Sequence, residues 1–113
     1  MKLDTSVVGL SYRVTEDTLD VMSEVLPLHA ELQREPDNKH DDNAVAVRLL
    51  DKPWRRFHIG YLPRAVAAEL APKLDSGELE ISSVTVTSLD PDEGKGEITV
   101  EGRKVKSLQK KVI

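Results

Sequence analysis

The clearest deficits of this 113-residue chain are in cysteine and in aromatic residues. Cysteine is absent, which excludes disulfide bonds, thiolate zinc sites and cysteine nucleophiles. With one Trp, two Tyr and one Phe, the chain must build its hydrophobic core mainly from Val, Leu, Ile and Ala. A chain of this length has room for one such core and therefore for one domain.

Long apolar segments are missing as well. No apolar run approaches the roughly 18 residues of a transmembrane helix, and residues 1–6 lack the profile of a secretory signal. We therefore predict a cytoplasmic protein without a membrane partner. The sequence gives no indication of the oligomeric state.

Positive charge is scarce over most of the chain. The net charge of −4 argues against a broad electrostatic grip on duplex nucleic acid. All 20 acids lie in residues 1–102, whereas residues 103–113 carry five basic residues and no acid. We predict a domain over residues 1–103 and a basic C-terminal tail over residues 104–113. Such a tail is suited either to tethering nucleic acid or to keeping the protein soluble.

Alternation of apolar and polar residues predicts a mainly β protein. It is clearest in residues 26–33, where every second residue is Leu or Ala. Similar patterns separated by turn residues predict six strands, over residues 6–13, 26–33, 44–50, 55–62, 79–89 and 97–103.

Helical signals are fewer. Pro63 stands where a helix would begin, good helix formers follow it, and Gly77 is suited to end the helix. Pro72 should interrupt or restart this helix. A short helical turn beginning at Thr15 or Thr18 fits residues 14–23. The elements together predict a small, six-stranded OB-like or SH3-like barrel with one or two short helices, a fold that binds single strands or peptides.

The densest group of polar residues, here called the polar segment, covers residues 34–43 between two predicted strands. It reads Arg-Glu-Pro-Asp-Asn-Lys-His-Asp-Asp-Asn. Asp and Asn are common turn formers because they hydrogen-bond the nearby backbone. The polar segment is therefore either a well-built turn or one wall of a binding site.

Catalysis has little support in the sequence. There is no Gly-rich phosphate loop and no pair of His residues at metal-binding helical spacing. The available metal ligands are Asp37, His40, Asp41, Asp42 and His58. Adjacent Asp41 and Asp42 would point to opposite faces of a strand, so only one would join a shared site. We predict a protein that is not an enzyme and has no cofactor or metal, with a metal-dependent phosphodiesterase as the weaker alternative.

Binding of single-stranded nucleic acid fits the sequence better. Proteins bind single strands with aromatic rings that stack on bases and with cations that contact phosphates. The available rings are Tyr12, His40 and Tyr61. The cations nearest to them in the sequence are Arg13, Arg34, Lys39, Arg48 and Arg64. Arg64 would lie in the first turn of the predicted helix, where free N–H groups and the helix dipole favour phosphate.

Two motifs resemble those of the HIRAN domain family. They are Arg34-Glu-Pro-Asp-Asn-Lys-His-Asp-Asp-Asn-Ala-Val-Ala-Val47 and Gly60-Tyr-Leu-Pro-Arg-Ala-Val-Ala-Ala-Glu-Leu-Ala71, and the opening Val7-Val-Gly-Leu-Ser-Tyr12 is similar to the family's first strand. The resemblance extends from about residue 7 to residue 100. It implies an OB-like barrel that binds the free 3′-hydroxyl end of single-stranded DNA, in DNA repair or replication.

The resemblance also implies roles for single residues. Asn38 and Asp41 would contact the terminal nucleotide, with the Asp41 carboxylate accepting from the 3′-hydroxyl. Tyr12 would stack on the terminal base and Arg64 would reach a phosphate. His40 and Tyr61 stand where DNA-binding members commonly have Tyr and His. Ser11 replaces a basic residue, a loss that Arg13 would have to offset.

We therefore predict a non-catalytic module that recognises single-stranded DNA by its 3′ end. The residues expected at the site are Tyr12, Arg13, Asn38, His40, Asp41, Tyr61 and Arg64. The chain has no helicase motor, so a helicase or nuclease partner would supply any activity on the DNA. The alternative is a protein-interaction barrel that has lost affinity for DNA, which the acidic net charge and Ser11 would permit.

Overall fold

The computed structural model describes residues 1–105, so the predicted basic tail over residues 104–113 is described only at its first two residues, and residues 106–113 lie outside the described residues. Within this range the chain forms six strands and three helices. They are β1 (Lys2–Val7), α1 (Leu10–Arg13), α2 (Glu16–Ser23), β2 (Leu28–Arg34), β3 (Val45–Leu49), β4 (His58–Tyr61), α3 (Arg64–Ser76), β5 (Leu79–Asp90) and β6 (Lys95–Lys104). No helix in residues 1–105 is long and apolar enough to cross a membrane.

The six strands form one antiparallel sheet in the order β1-β6-β5-β2-β3-β4. Although β1 and β4 are at opposite ends of this order, the chain just after β1 returns to β4. Val8 and Tyr61 exchange two backbone hydrogen bonds there, of 2.8 and 2.9 Å. The sheet is thus a curled half-barrel, and the predicted mainly β, OB-like fold class is confirmed.

The close contact between β1 and β4 depends on Gly60. A Cβ atom at this position would lie 2.5 Å from the carbonyl oxygen of Val8 and 2.7 Å from a methyl group of Val7. Both distances are far shorter than van der Waals contact, so any side chain here would push the two strands apart.

The core lies on the concave side of the sheet and consists of Val, Leu, Ile, Ala and Met. Its buried members on β3 and the helices are Val45, Val47, Leu49, Leu10, Leu19, Met22, Ala67, Leu70 and Ala71. Among residues 1–105 no polar or charged side chain is buried. Each fully buried Leu, Val or Met contributes about 1.5–3 kcal/mol through removal of apolar surface from water. As the low aromatic content predicted, aliphatic packing dominates the core.

The first predicted strand was placed wrongly. It was expected over residues 6–13, but β1 ends at Val7 and the chain from Leu10 to Arg13 is the short helix α1. Gly9 has a φ of 81°, a left-handed conformation that turns the chain out of the strand. The alternating apolar residues 8, 10 and 12 resembled a strand, although only Leu10 is buried. The structure therefore has one helix more than the maximum predicted.

The other two helices follow the sequence more closely. The Thr15 hydroxyl caps α2 by accepting from the Thr18 N–H at 3.2 Å, which confirms one of the two proposed starts. Gly77 ends α3 with a φ of 79°. The predicted interruption at Pro72 is wrong, because α3 continues through it. Pro72 is exposed, and its ring removes only the single hydrogen bond to the preceding turn.

Candidate nucleic-acid interface

Arg34 attaches the polar segment to the end of α3. Its Nε and Nη2 donate to the two carboxylate oxygens of Asp75 at 2.8 and 3.0 Å. Nη1 and Nη2 also donate to the backbone carbonyls of Ala44 and Asp42, at 2.7 and 2.9 Å. The bond to Asp75 raises the pKa of Arg34, and the bond from Arg34 lowers the pKa of Asp75. Arg34 is therefore committed to positioning the polar segment.

Asn38 organises the turn itself. Its Oδ1 accepts from the backbone N–H groups of His40 and Asp41, at 2.9 and 3.1 Å. Its Nδ2 donates to Glu35 Oε1 at 3.0 Å. A carboxamide carries its acceptor oxygen and its donor NH2 group on separate atoms, so Asn38 closes the turn with one and orients Glu35 with the other.

Asp41 and Arg64 form the contact between the polar segment and the start of α3. The Asp41 side chain is 20% exposed; its Oδ1 accepts from the Asn43 N–H at 2.9 Å and its Oδ2 lies 3.5 Å from Arg64 Nε. Arg64 Nη2 also donates to the His40 carbonyl. Since the Arg64 side chain is 74% exposed, this ion pair is weak and its guanidinium can turn toward another anion at little cost.

An open pocket of about 600 Å³ lies between the polar segment and α3. Its lining consists of residues 38–43 together with Arg64 and Ala68. The pocket therefore presents a carboxylate, an amide and a guanidinium within one small volume, a combination that suits a ligand carrying both hydroxyl and phosphate groups.

Tyr61 joins the polar segment to α1. Its hydroxyl donates to Glu35 Oε1 at 2.8 Å and accepts from Arg13 Nη2 at 3.4 Å. The guanidinium carbon of Arg13 lies 5.4 Å from the centroid of the Tyr61 ring, within the range of a cation–π contact. The His58 ring meets the Tyr61 ring edge-on, with 4.7 Å between centroids. Tyr61 is thus fixed by three neighbours.

Partial burial sets the protonation of this group. Burial of Glu35 opposes its ionisation, but the hydrogen bonds from Asn38 and Tyr61 outweigh burial and lower its pKa. Burial, together with the bond to the Glu35 carboxylate, raises the pKa of Tyr61. Burial and the neighbouring Arg13 charge lower the pKa of His58. At neutral pH, Glu35 is therefore a carboxylate acceptor, Tyr61 a hydroxyl donor and His58 uncharged.

Tyr12 is on α1 and is 92% exposed. A ring that buries almost nothing in the folded protein is available to stack on a ligand. Its neighbour Ser11 faces the turn between β5 and β6, where a Cβ on Gly94 would lie 3.2 Å from the Ser11 Cβ. The α1 helix is thus lodged between this turn and β4.

The structure brings six of the seven predicted residues into one connected set. Contacts run from Arg13 to Tyr61, through Glu35 to Asn38, and on to His40, Asp41 and Arg64. Tyr12 adjoins this set through Arg13, and His40 contributes backbone bonds while its side chain stays exposed. Glu35 and His58 were not among the predicted site residues, because their contribution arises from partners distant in the chain.

Among residues 1–105, no group of three or more His, Asp or Glu side chains is arranged to hold a metal ion. Asp41 faces Arg64 instead, and His58 Nε2–H donates to the Gly60 carbonyl at 2.8 Å.

Comparison with known proteins identifies relatives of the whole described region. The family model of the HIRAN domain matches residues 2–104, which confirms the resemblance inferred from the motifs. The crystal structure of the HIRAN domain of human HLTF is 22% identical, with a TM-score of 0.73 over 98% of this chain and 82% of that one. No curated protein matches the sequence.

Two further solved structures share the fold. The NMR structure of the HLTF HIRAN domain in its DNA-bound conformation is 22% identical, with a TM-score of 0.64 over 98% of this chain and 81% of that one. A crystal structure of a protein from Lactobacillus plantarum is 27% identical, with a TM-score of 0.67 over 88% of this chain and 91% of that one.

Proposed function

The chain belongs to the HIRAN domain family, and from this membership we propose that it binds single-stranded DNA by its free 3′-hydroxyl end without catalysing a reaction. A similar domain, that of human HLTF, has been solved in a DNA-bound conformation. A helicase or nuclease partner in DNA repair or replication would act on the DNA that this domain captures.

The observation that carries the proposal is the environment of Asp41. Its carboxylate is mostly buried, lies at the wall of an open pocket and has one oxygen, Oδ2, opposed only by the exposed Arg64. A carboxylate in this setting accepts a hydrogen bond from a hydroxyl group and repels a phosphate. When Arg64 turns toward the preceding phosphate, Oδ2 becomes available to the 3′-hydroxyl.

Tyr12 and Arg13 would provide the opposite wall. The exposed Tyr12 ring is free to stack on the terminal base, and Arg13 supplies the cation that Ser11 lacks. Asn38, His40 and Tyr61 would complete the site, Asn38 by fixing the turn and the two rings by contacting the last nucleotide.

The test is fluorescence anisotropy with 5′-labelled oligonucleotides that end in a 3′-hydroxyl or in a 3′-phosphate. We expect the oligonucleotide with a 3′-hydroxyl to bind at least about 10-fold more tightly than the one with a 3′-phosphate. A hydrogen bond to a charged group contributes about 1.5–3 kcal/mol, which corresponds to a difference of this size. Equal affinity for the two ends would refute end recognition while leaving general binding of single strands intact.

Matched variants connect this preference to the site. Asp41→Asn keeps the shape of the side chain and should abolish most of the discrimination between the two ends, whereas Tyr12→Ala should weaken both complexes. Glu80→Gln is the control for Asp41→Asn, because Glu80 is an exposed carboxylate paired with Arg103 at 2.8 Å, much as Asp41 is paired with Arg64. It should leave binding unchanged.

The net charge of −4 favours a second candidate, a protein-interaction barrel without DNA affinity. In that case neither oligonucleotide would bind to a folded wild-type protein. Incubation of labelled DNA with magnesium or manganese separately tests the phosphodiesterase alternative, for which we expect no cleavage.

A further inference from the structure

A second group of basic residues lies at one end of the outer face of β2, β3 and β4, the face turned away from the core: Arg48 is on β3, and Arg55 and Arg56 are in the loop between β3 and β4. Val45, Val47 and Leu49 of β3 are buried on the opposite side. Strand pairing places Arg48 between Glu31 of β2 and His58 of β4 on the outer face. The pairing two residues earlier on β3 joins Gln33, Ala46 and Tyr61 on this same face. Tyr61 of the candidate end site therefore lies two β3 residues from Arg48 along this face, with the fully buried Ala46 beside Tyr61 and a β-bulge in the β3–β4 pairing between them.

Three arginines converge at the far end of this face. Arg48, Arg55 and Arg56 line a depression of about 370 Å³ together with Glu31, Gln33 and Leu50. Within residues 1–105 none of the three forms an ion pair with a carboxylate, and Glu31 is the single acid in the lining. The depression therefore has an excess of positive charge, although the whole chain is acidic.

The local structure positions these charges without neutralising them. Arg48 Nε donates to Gln33 Oε1 and Nη1 donates to the Arg56 carbonyl at 2.9 Å, and both acceptors are uncharged. Arg56 itself has a φ of 68°, and its N–H donates to the Leu49 carbonyl at 2.6 Å. A non-glycine residue in this conformation is unusual and is maintained only where the surrounding contacts determine it. The loop thus fixes Arg56 over the end of β3.

His58 connects the two groups of basic residues. Its ring meets the Tyr61 ring with 4.7 Å between centroids, Arg13 lies over that same Tyr61 ring, and Arg48 lies opposite His58 in the strand pairing. Cations are therefore present on both sides of His58. Since residues 46 and 48 of β3 are only about 7 Å apart along the strand, a nucleic-acid backbone at Tyr61 would reach Arg48 within a few nucleotides.

We propose that the outer face of β2–β4 binds the phosphodiester backbone upstream of the captured 3′ end, with Arg48, Arg55 and Arg56 contacting its phosphates. This inference rests on the proposed function, because it continues the strand from the same end site. Single-stranded DNA is the occupant that fits, since the cationic depression complements phosphates and adjoins the rings of His58 and Tyr61.

The experiment compares 5′-labelled oligothymidylates, each with a free 3′-hydroxyl: one of about 3 nucleotides, shorter than a typical single-strand site of about 4–16 nucleotides, and one of about 12 nucleotides, within that range. The variant is Arg55→Ala combined with Arg56→Gly, where glycine preserves the positive φ at position 56. We expect the variant to bind the long oligonucleotide more weakly and the short one as the wild type does.

Salt dependence measures the lost contacts directly. Each phosphate contact to a single strand adds about 0.7 to the slope of log affinity against log salt. The variant lacks two arginines, so its slope should be smaller by about 1.4. When the salt concentration rises from 50 to 200 mM, the wild-type affinity for the long oligonucleotide should therefore fall about 7-fold more than the affinity of the variant. A variant with the wild-type salt slope would overturn the inference.

The control variant combines Lys2→Ala with Arg103→Ala. It also removes two exposed cations, but from β1 and β6, which β5 and β2 separate from β3. An equal loss of affinity in the control would show a general charge effect and would also overturn the inference. If the short oligonucleotide binds with its 3′-end preference but length adds no affinity, only this inference fails. If no oligonucleotide binds, the proposed function fails as well.

Discussion

At the scale of residues, the site is organised around a side chain that the sequence did not single out. Glu35 accepts from Asn38 and from Tyr61 and so connects the polar segment to β4. Asn38 was predicted as a ligand contact from the family resemblance, and the structure shows that its oxygen and one amide hydrogen are used inside the turn. The sequence could predict which residues lie close together here, but it could not predict which of them position the others through hydrogen bonds.

Glu35→Gln should make stability less dependent on acid pH. The folded-state pKa of Glu35 is lowered from its ordinary value of 4.5, so its charge stabilises the fold above that pH and the contribution is lost as pH falls through the folded pKa. Glutamine keeps an acceptor for Asn38 and Tyr61 but has no charge. The variant should therefore melt below the wild type at pH 7, with a gap that narrows below pH 4.5.

Thermal melts across the acid range would measure this gap. Glu69→Gln, which alters an exposed carboxylate on α3, is the control and should follow the wild type at every pH. A gap for Glu35→Gln that stays constant on acidification would contradict the assignment.

At the scale of elements, most strands and the long helix follow from apolar alternation and from helix-terminal residues. The misplacement of the first strand has a local cause, because Gly9 redirects the chain before α1 while the apolar pattern continues unchanged. The prediction at Pro72 was wrong because tertiary packing outweighs a local signal. Leu70 and Ala71 pack into the core and stabilise α3 despite the hydrogen bond that Pro72 cannot make. Closure of the sheet by Val8 and Tyr61 has no signal in the sequence around either residue.

Gly60→Ala should test how much the candidate site depends on the backbone pairing of Val8 with Tyr61. The new methyl group would collide with the backbone of Val8, so we expect a loss of about 2–4 kcal/mol in the free energy of unfolding and a displaced α1. Gly77→Ala is the comparison, because its methyl group meets open space and only the positive φ is strained, which costs about 1 kcal/mol.

Denaturant unfolding gives both values. The affinity for a 3′-hydroxyl oligonucleotide should change in Gly60→Ala and remain close to wild type in Gly77→Ala. Equal losses of stability in the two variants would show that the close contact at Gly60 relaxes freely.

At the scale of the whole molecule, an acidic net charge coexists with two local groups of cations. The candidate end site has Arg13 and Arg64, and the end of the outer face has Arg48, Arg55 and Arg56. Net charge governs long-range attraction, whereas contact energies depend on these local groups. The mainly β class and the family could therefore be predicted from sequence, but the outer face could not, because it joins residues from three strands.

Truncation after Val105 should separate the effect of net charge on long-range attraction from the effect of the local cations on contact energy. Removing residues 106–113 takes away three lysines and changes the net charge from −4 to −7. We expect weaker and less salt-sensitive binding of single strands, because long-range attraction is reduced, with the preference for a 3′-hydroxyl unchanged. A lost end preference, measured by the same anisotropy assay, would instead place part of the end site in the tail.

The pairing of β1 with β6 also determines when the site can form. Lys2 lies opposite Glu101, and Val7 lies opposite Gly96, so β1 gains its partner only after almost all of the described chain has been made. During synthesis β1 therefore stays unpaired until β6 has been made. Folds dominated by such distant pairings fold in milliseconds to seconds. Because α1 follows β1 directly, we expect the proposed binding site to form only after β6 has left the ribosome, so that binding of DNA would mark the completion of folding.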